Sequence, residues 1–249
     1  MADLGNSRLK WGRLGPGGAI QACVALPADD PASWERALDA WSREAPATSW
    51  AVATVNPPAA ERLATVLAAR GVRVVRWFRS AVEVPVRHEL EHPETAGADR
   101  ALAVLAASAL QGTGRAGAVV SCGTALTVER IAPDGTWQGG AIAPGLAISA
   151  RALLQSTAQL PRVGVVEAPA PWGRSTAPAM AAGVYWGCVG AIRELLARQA
   201  EGLDPPPWTL WTGGDAPALA LRVAGPEALV VPDLVLRGLA LAGFGGTAR

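Results

Sequence analysis

Lysine, histidine, cysteine and tyrosine are all scarce in this chain of 249 residues. It contains one lysine (Lys10), two histidines, three cysteines and one tyrosine. The cysteines lie far apart and form no Cys-x-x-Cys pair, so neither a structural zinc site nor a disulfide framework is expected. Free thiols instead fit the reducing cytosol, and we expect a cytoplasmic protein.

Long apolar runs and strong net charge are also missing. No stretch of about 18 apolar residues is free of charged residues, glycine and proline, so no membrane span is predicted. The N-terminus lacks the basic region and apolar run of a signal peptide. The net charge is +1 and charged residues make up 17% of the chain. Nucleic acid is therefore not an expected partner.

Hydrophobic residues make up half of the chain, which is enough for one large domain or two smaller ones. Short strand-like runs alternate with helical patterns in both halves, and this alternation predicts an α/β fold. We place the domain boundary at Gln111-Gly-Thr-Gly114, which gives an N-terminal domain of residues 1–112 and a C-terminal domain of residues 113–249. The predicted helices are residues 31–42, 59–70, 99–110, 148–155 and 176–200, with a short one from Leu234. The predicted strands are residues 19–26, 50–55, 72–77, 116–121, 127–131, 139–144, 209–212 and 229–231.

Each half opens with a strand that runs into a glycine turn. Asp3-Leu-Gly-Asn-Ser7 begins the first half and Ser121-Cys-Gly-Thr-Ala125 begins the second. The two turns are about half the chain apart, which indicates a weak internal repeat. Glycine lets the backbone approach a phosphate closely, and a hairpin follows each turn. The turn itself would therefore supply the N–H donors of an anion site.

The first turn carries the polar groups that a phosphate site needs. Asn6 and Ser7 add side-chain donors. Asp3 would hold Mg²⁺ through water, because Mg²⁺ prefers to keep waters and uses few carboxylates. Lys10, further along the same hairpin, would offset phosphate charge during transfer. A polar turn with a solvated lysine explains these residues equally well, and both interpretations stay open.

A third glycine turn, Gly213-Gly214, follows another predicted strand. Paired glycines would let a flat group such as adenine lie against the backbone, although a plain tight turn is the more frequent meaning of such a pair. Gly17-Gly18 and Gly245-Gly246 are interpreted as turns or tail.

Asp99 and Arg100 stand at the start of a predicted Ala/Leu-rich helix. Asp99 is a favourable N-cap residue, whereas the helix dipole disfavours an arginine in the first turn. A phosphate or carboxylate ligand would explain Arg100 through bidentate hydrogen bonds. Asp99 would then accept the proton of an acceptor hydroxyl. The alternative is a structural cap beside a surface arginine, and the local sequence alone favours it.

Taken together, these motifs resemble the type III pantothenate kinase family, which includes the Bvg accessory factor proteins. The resemblance runs in the same order over nearly the whole chain, and the shared order is its strength. It rests on residues 3–11, 97–100, 122–127, 139–145, 175–187 and 212–215.

The resemblance implies an acetate/sugar kinase–Hsp70–actin-like fold, in which two ribonuclease-H-like lobes hold ATP between them. It implies a homodimer with the substrate pocket near the dimer interface. The implied reaction transfers the γ-phosphate of ATP, bound with Mg²⁺, to the primary hydroxyl of pantothenate. This is the first step toward coenzyme A. In the implied reaction Asp99 is the proton acceptor. The implied pantothenate contacts are Gly97, Ala98, Asp99, Arg100 and Thr176. The implied ATP contacts are Asp3, Gly5, Asn6, Ser7, Arg8, Lys10, Gly123, Thr124, Gly213 and Gly214.

Two positions depart from the family pattern. Ser121 stands where members usually have an aspartate that helps to hold a monovalent cation, K⁺ or NH₄⁺. A neutral hydroxyl is a weaker ligand for a hard cation, so dependence on such a cation is not expected. Leu90 stands where a tyrosine often contacts the substrate. Two alternatives therefore remain beside the pantothenate kinase: a kinase-like regulatory or accessory protein without turnover, and a kinase of the same fold that acts on another hydroxylated acid.

Overall fold

The computed structural model describes residues 1–15, 19–44 and 49–245. The predicted turn at Gly17-Gly18 and the glycine Gly246 lie outside these residues. The chain divides into two compact units, and each is described by itself. The first unit contains residues 1–112 and the segment that begins at Asp233; the second contains residues 113–232. Within the described residues, no helix is both long enough and apolar enough to cross a lipid bilayer.

The first unit is built on a five-stranded mixed sheet with the strand order β3-β2-β1-β4-β5. The β1 strand is antiparallel to β2 and parallel to β4, so it lies at the centre of the sheet. The strands are β1 (Ala2–Leu4), β2 (Arg8–Leu14), β3 (Ile20–Pro27), β4 (Ser49–Thr54) and β5 (Val74–Phe78). The helices are α1 (Pro31–Glu44), α2 (Pro57–Ala69) and α3 (Ala98–Gln111), and a single 3₁₀ turn spans Ala81–Glu83.

The second unit repeats the same sheet. Its order is β10-β9-β6-β7-β8, so β6 takes the central place of β1, with an antiparallel neighbour β7 and a parallel neighbour β9. The strands are β6 (Gly117–Cys122), β7 (Ala125–Ile131), β8 (Trp137–Pro144), β9 (Trp208–Thr212) and β10 (Leu229–Val230). The helices are α4 (Leu146–Gln155), α5 (Thr176–Ala200) and α6 (Ala216–Val223). The repeat that two short glycine turns suggested is therefore a duplication of the whole sheet.

Large aromatic and aliphatic side chains fill the core beside each sheet. Trp11 and Trp34 are completely buried in the first unit, and Trp137 and Trp211 in the second. The predicted apolar face of α1 is confirmed, because Trp34 and Leu38 are buried there and Trp41 packs against the same core. Burial of such large apolar surfaces is the main favourable contribution to folding.

The end of helix α2 follows the sequence closely, whereas its start comes earlier than predicted. The helix begins at Pro57, because the Asn56 side chain accepts a hydrogen bond from the Ala59 N–H and proline is favourable at the first helical position. It stops before Gly71, whose φ of +73° suits glycine. Helix α5 has the predicted bounds. Helix α6 was not predicted, since the paired glycines Gly213-Gly214 gave the start of that segment the signature of a turn.

The last helix, α7 (Leu234–Phe244), lies in the first unit. A C-terminal domain of residues 113–249 was therefore wrong for this segment, although the boundary after residue 112 agrees with the structure. The apolar face of α7 packs on α3 and β4, and Gly238 lies against the backbone of Leu102. A Cβ at Gly238 would come 2.2 Å from the Leu102 carbonyl oxygen, so only glycine permits this close helix contact.

Candidate functional site

The first glycine turn joins the central strand β1 to β2. The Gly5 N–H donates to the Arg8 carbonyl at 3.0 Å, which closes the turn. The Val55 N–H donates to the Leu4 carbonyl at 3.3 Å, and the Asn56 amide donates to the Gly5 carbonyl at 3.5 Å. The end of β4 thus fixes one side of the turn. The side chains of Asn6, Ser7 and Arg8 remain exposed, as a phosphate-binding turn requires.

Asp3 and Lys10 are register partners across the β1–β2 pair. Cross-strand partners of this kind have Cβ atoms about 4.5–5.5 Å apart, on one face of the sheet. The pKa of Asp3 is raised to about 7, first because its surroundings exclude water and second because the charge of Asp99 repels a negative charge there. The charge of Lys10 acts in the opposite direction. Val55 donates its N–H to Leu4 and lies against Gly97 beside the Asp99 carboxylate, so the structure brings the first turn and the Asp99 segment together within the first unit.

Asp99 lies in the first turn of α3 and is not its N-cap. The N-cap is Gly97, whose extended backbone precedes Ala98, the first residue of the helix. The predicted cap role of Asp99 was therefore wrong by two positions. Its carboxylate instead accepts a hydrogen bond from the backbone N–H of Arg100 at 2.9 Å. Asp99 and Arg100 are both half-buried, and Ala98 is completely buried.

In the second unit, the structure brings the second turn and the third turn together. The Asp215 N–H donates to the Cys122 carbonyl at 3.0 Å. Gly213 has a φ of +100°, and a Cβ there would come 2.2 Å from the same carbonyl oxygen. Gly214 has no such neighbour within 4 Å. The close approach therefore depends on Gly213 alone, while Gly214 faces open space.

Gly145 supports the second turn from another side. Its N–H donates to the Thr124 carbonyl at 3.2 Å, and a Cβ at Gly145 would come 2.2 Å from the Gly123 carbonyl oxygen. Sequence reasoning did not assign a role to this residue, although the motif that it ends was noted. Two glycines, Gly145 and Gly213, thus hold the backbone of the Gly123-Thr124 turn.

The thiol and hydroxyls near the second turn are neutral. Burial is the main factor that raises the pKa of Cys122 to about 12, so its thiol stays protonated and is a poor nucleophile. Ser121 pairs in register with Thr127 on β7 and with Thr212 on β9. The Thr127 hydroxyl is buried and has no hydrogen-bond partner among the described residues. The hydroxyls of Ser121 and Thr127 are neutral oxygen atoms. No carboxylate stands at position 121, because that residue is a serine.

Thr176 is the first residue of α5, and its side chain is exposed. It lines a surface cavity of about 590 Å³ together with Arg174 and Met180. No residue of the three glycine turns lines this cavity within the described part of the chain. Leu90 lies in the loop that precedes α3. Within residues 1–15, 19–44 and 49–245, no three acidic, histidine or cysteine side chains cluster in a way that could hold a metal ion.

Comparisons with known proteins identify relatives of this chain. The family model for type III pantothenate kinase matches residues 1–198. A type III pantothenate kinase of Acidiphilium cryptum is 42% identical over 153 residues, which are 61% of this chain and 56% of the relative. One of Sphingopyxis alaskensis is 40% identical over 172 residues, 68% of this chain and 65% of the relative. The chain thus matches less than two thirds of the length of these two. One of Alkalilimnicola ehrlichii is 36% identical over 245 residues, 96% of this chain and 94% of the relative.

Two solved structures share the fold along nearly their whole length. A protein named as a Baf family transcriptional activator, from Campylobacter jejuni, has a TM-score of 0.60 at 19% identity and covers 97% of this chain and 95% of its own. A protein named as a 2-dehydro-3-deoxygalactonokinase, from Sinorhizobium meliloti, has a TM-score of 0.60 at 18% identity and covers 98% and 97%. The expected α/β fold of the acetate/sugar kinase–Hsp70–actin type is confirmed.

Proposed function

Because the chain belongs to the type III pantothenate kinase family, we propose that it phosphorylates pantothenate with ATP to give 4'-phosphopantothenate, the first step of coenzyme A biosynthesis. The observation that carries this proposal is the position of Val55, which donates its N–H to Leu4 at the first turn and lies with the Asp99 carboxylate against Gly97. It joins the turn that is proposed to bind phosphate to the carboxylate that is proposed to accept the hydroxyl proton.

Asp99 is the proton acceptor in this proposal. The primary hydroxyl oxygen of pantothenate attacks the γ-phosphorus of ATP, its proton moves to the Asp99 carboxylate, and the bond from the γ-phosphorus to the bridging oxygen breaks to release ADP. Arg100 binds the substrate as a hydrogen-bond donor, and the absence of a side chain at Gly97 leaves the Asp99 carboxylate uncovered, since a Cβ there would come 2.4 Å from its Oδ1. Thr176 is a further proposed pantothenate contact from the second unit.

ATP contacts are proposed at each of the glycine turns. In the first unit they are Gly5, Asn6, Ser7 and Arg8 around the exposed turn, with Lys10 to offset phosphate charge. In the second unit they are Gly123 and Thr124, with Gly213 and Gly214 for the adenosine. The open space beside Gly214 supports the approach of a flat group to the backbone at that position.

Asp3 is the proposed anchor for Mg²⁺. Its carboxylate is the acidic group at the end of β1, and Mg²⁺ commonly uses one or two carboxylates and keeps several waters. The high pKa of Asp3 in the metal-free protein supports this role, since a cation would relieve the repulsion from Asp99. When bound, Mg²⁺ would neutralise part of the charge on the phosphate oxygens.

A monovalent cation is not required in this proposal. The hydroxyls of Ser121 and Thr127 offer neutral oxygens, and the carboxylate that would hold K⁺ or NH₄⁺ more tightly is replaced by Ser121. We expect turnover without added K⁺. Equal rates of ADP release with and without K⁺ would agree with this expectation, whereas an absolute requirement would contradict it.

The chain is also proposed to act as a cytoplasmic homodimer. Apolar side chains that are exposed on the second unit support an interface there; they are Ile142, Val165, Val166 and Trp172. Such exposed apolar groups often mark a protein contact surface. Light scattering on the purified protein should give twice the mass of 25.5 kDa.

The decisive experiment measures ADP release by the purified protein with ATP, Mg²⁺ and pantothenate. The proposal predicts release that depends on pantothenate and saturates with its concentration. ATP turnover with another hydroxylated acid in place of pantothenate would favour a different acceptor. No acceptor-dependent turnover under any cation would favour a kinase-like accessory protein.

A further inference from the structure

A cavity of about 460 Å³ lies in the first unit, at the carboxyl ends of β4 and β5. Pockets for small ligands commonly have volumes of about 300–1,000 Å³. One wall is a single face of α2, because the residues that line it recur at intervals of three and four. The lining residues are Thr54, Val55, Pro57, Ala60, Glu61, Ala64, Trp77, Arg79, Thr95 and Gly97.

The cavity adjoins the carboxylate of Asp99. Gly97 is part of the cavity wall, and a Cβ at Gly97 would come 2.4 Å from the Asp99 Oδ1 and 3.0 Å from the Val55 Cγ1. The Asp99 oxygen and the Val55 methyl group therefore both lie against Gly97. A substrate whose hydroxyl group lies beside Asp99 can therefore place its remaining atoms in this cavity.

Arg79 is held at the same cavity by the backbone next to it. Ser80 and Gly97 form an antiparallel bridge, and the Ala81 N–H donates to the Ala96 carbonyl at 2.9 Å. These bonds tie the segment that follows β5 to the segment that carries Gly97. Arg79 therefore directly precedes Ser80, the residue that pairs with Gly97.

The Arg79 guanidinium group stacks over an aromatic ring. Its central carbon lies 5.3 Å from the centre of the Trp77 ring. Stacking on one face leaves the N–H groups at the edge of the guanidinium plane free to bind an anion in a bidentate manner. Among the described residues, the Arg79 guanidinium forms no ion pair; the Glu83 carboxylate accepts a hydrogen bond from the backbone N–H of Arg79 instead.

The start of helix α2 does not compete for the anion. Pro57 and Pro58 have no N–H, and the N–H groups of Ala59 and Ala60 donate to the side chain and the carbonyl of Asn56. The helix therefore offers no free N–H donor in its first turn. Glu61 on the helix wall repels an anion, so Arg79, which directly follows β5, is where a negative group would bind.

We infer that Arg79, stacked on Trp77, is a specificity-determining residue that binds the carboxylate of the phosphoryl acceptor. This inference rests on the proposed function, in which the acceptor is an acid with a primary hydroxyl at its other end. The hydroxyl faces Asp99, and the apolar middle of the acceptor contacts Val55, Ala60 and Ala64. Thr95, whose hydroxyl donates to the His92 carbonyl at 2.9 Å, keeps an acceptor lone pair for the amide N–H of the substrate.

The test compares two acceptors with two variants of the full-length protein. Pantothenate carries the carboxylate, and pantothenol has a neutral hydroxymethyl group in its place. Arg79→Gln removes the charge at the cavity, and Arg62→Gln removes an exposed charge from α2 at a position that does not line it. Kinetics by ADP release and affinity by calorimetry are both measured, and thermal unfolding checks that each variant is folded.

Arg79→Gln should raise the KM for pantothenate and weaken its binding by about tenfold, the effect of one charge-assisted hydrogen bond near the surface. It should leave kcat, and all parameters for pantothenol, near the wild-type values, and Arg62→Gln should change none of them. Equal affinity of Arg79→Gln and wild type for pantothenate would overturn the inference while leaving the proposed function intact. An equal loss of affinity for pantothenate and for pantothenol would also overturn the inference. Binding of pantothenate by the wild type without any ADP release would instead refute the proposed function, and no binding at all would refute both.

Discussion

The carboxylates of Asp3 and Asp99 lie close enough in the first unit for the charge of one to oppose ionisation of the other. The pKa of Asp3 reaches about 7 as a result of burial and of this repulsion, in spite of the cross-strand Lys10. A pair of like charges in surroundings that exclude water is unfavourable for folding and is typical of sites that bind cations or move protons. The metal-free protein therefore carries a destabilising feature where its function is proposed.

Replacing Asp3 by Asn should stabilise the metal-free protein at high pH and abolish its kinase activity. The pKa of Asp3 in the folded protein, about 7, exceeds the ordinary aspartate pKa of 3.8. The stabilisation that the Asp3 proton contributes is therefore complete below pH 3.8 and is lost as the pH rises through 7. An asparagine at this position does not titrate, so the variant loses no stability from this residue over the same pH range. The melting temperature of Asp3→Asn should therefore exceed that of wild type by more at pH 8 than at pH 5.

Asp29→Asn is a suitable control for this comparison, because Asp29 is an exposed aspartate in a turn. It should show no increase in relative stability between pH 5 and pH 8. A melting temperature of Asp3→Asn that stays below that of wild type at pH 8 would contradict the electrostatic contact between Asp3 and Asp99.

Replacing Asp99 by Asn should lower kcat by about 10²- to 10⁴-fold, the usual contribution of a general base. The isosteric amide cannot accept the hydroxyl proton, although it can still accept the hydrogen bond from the Arg100 N–H. ADP release measures the loss, and circular dichroism shows whether the fold is kept. A variant as active as wild type would refute the role of Asp99, and Asp29→Asn serves again as the control.

Gly213 and Gly214 should differ sharply in their tolerance of alanine. At Gly213 a Cβ meets the Cys122 carbonyl at 2.2 Å and the φ of +100° is unfavourable, so Gly213→Ala should cost about 2 kcal/mol or more in unfolding free energy. Urea unfolding measures this change. Gly214→Ala meets nothing within 4 Å and should leave the stability close to that of wild type.

The same pair of variants tests the role of the third turn. Gly214→Ala should raise the KM for ATP without a comparable change in stability, because the methyl group occupies the space proposed for the adenine. An unchanged KM for ATP in this variant would argue against adenosine binding at Gly214.

Gly238 in α7 should be equally intolerant of alanine. The added methyl group would push α7 away from α3 at Leu102, and overpacking of this kind costs about 1–3 kcal/mol. Gly190→Ala is the matched control, because Gly190 is also helical, is exposed and has no neighbour within 4 Å. It should stabilise α5 by up to about 1 kcal/mol. Similar melting temperatures for the two variants would show that the α3–α7 contact adapts.

Patterns within short stretches of the sequence predicted the helices and turns that interactions between neighbouring residues determine. The apolar face of α1 follows from helical periodicity, the bounds of α5 agree with the predicted helical run, and the two glycine turns indicated the duplicated sheet. Asp99 was misplaced as an N-cap, because Asp is as favourable in the first turn of a helix as at its cap, and the extended backbone of Gly97 decides between them.

The remaining parts of the site depend on contacts between residues that are distant in sequence. Arg79 gave no signal among the many arginines of this chain, because its importance comes from the Trp77 ring and from the pairing of Ser80 with Gly97. The contact of Gly145 with the second turn and the placement of α7 beside α3 are nonlocal in the same way.

The position of α7 has a consequence for the order of events during synthesis. Residues 113–232 form a unit from one continuous stretch, whereas the first unit needs residues from both sides of it. The ribosome releases the chain from its N-terminus, at a pace that lets continuous domains fold as they emerge. The apolar face of α3 must then wait, uncovered, until Leu234–Phe244 has been translated. The unit that begins first along the chain is thus the one that is completed last.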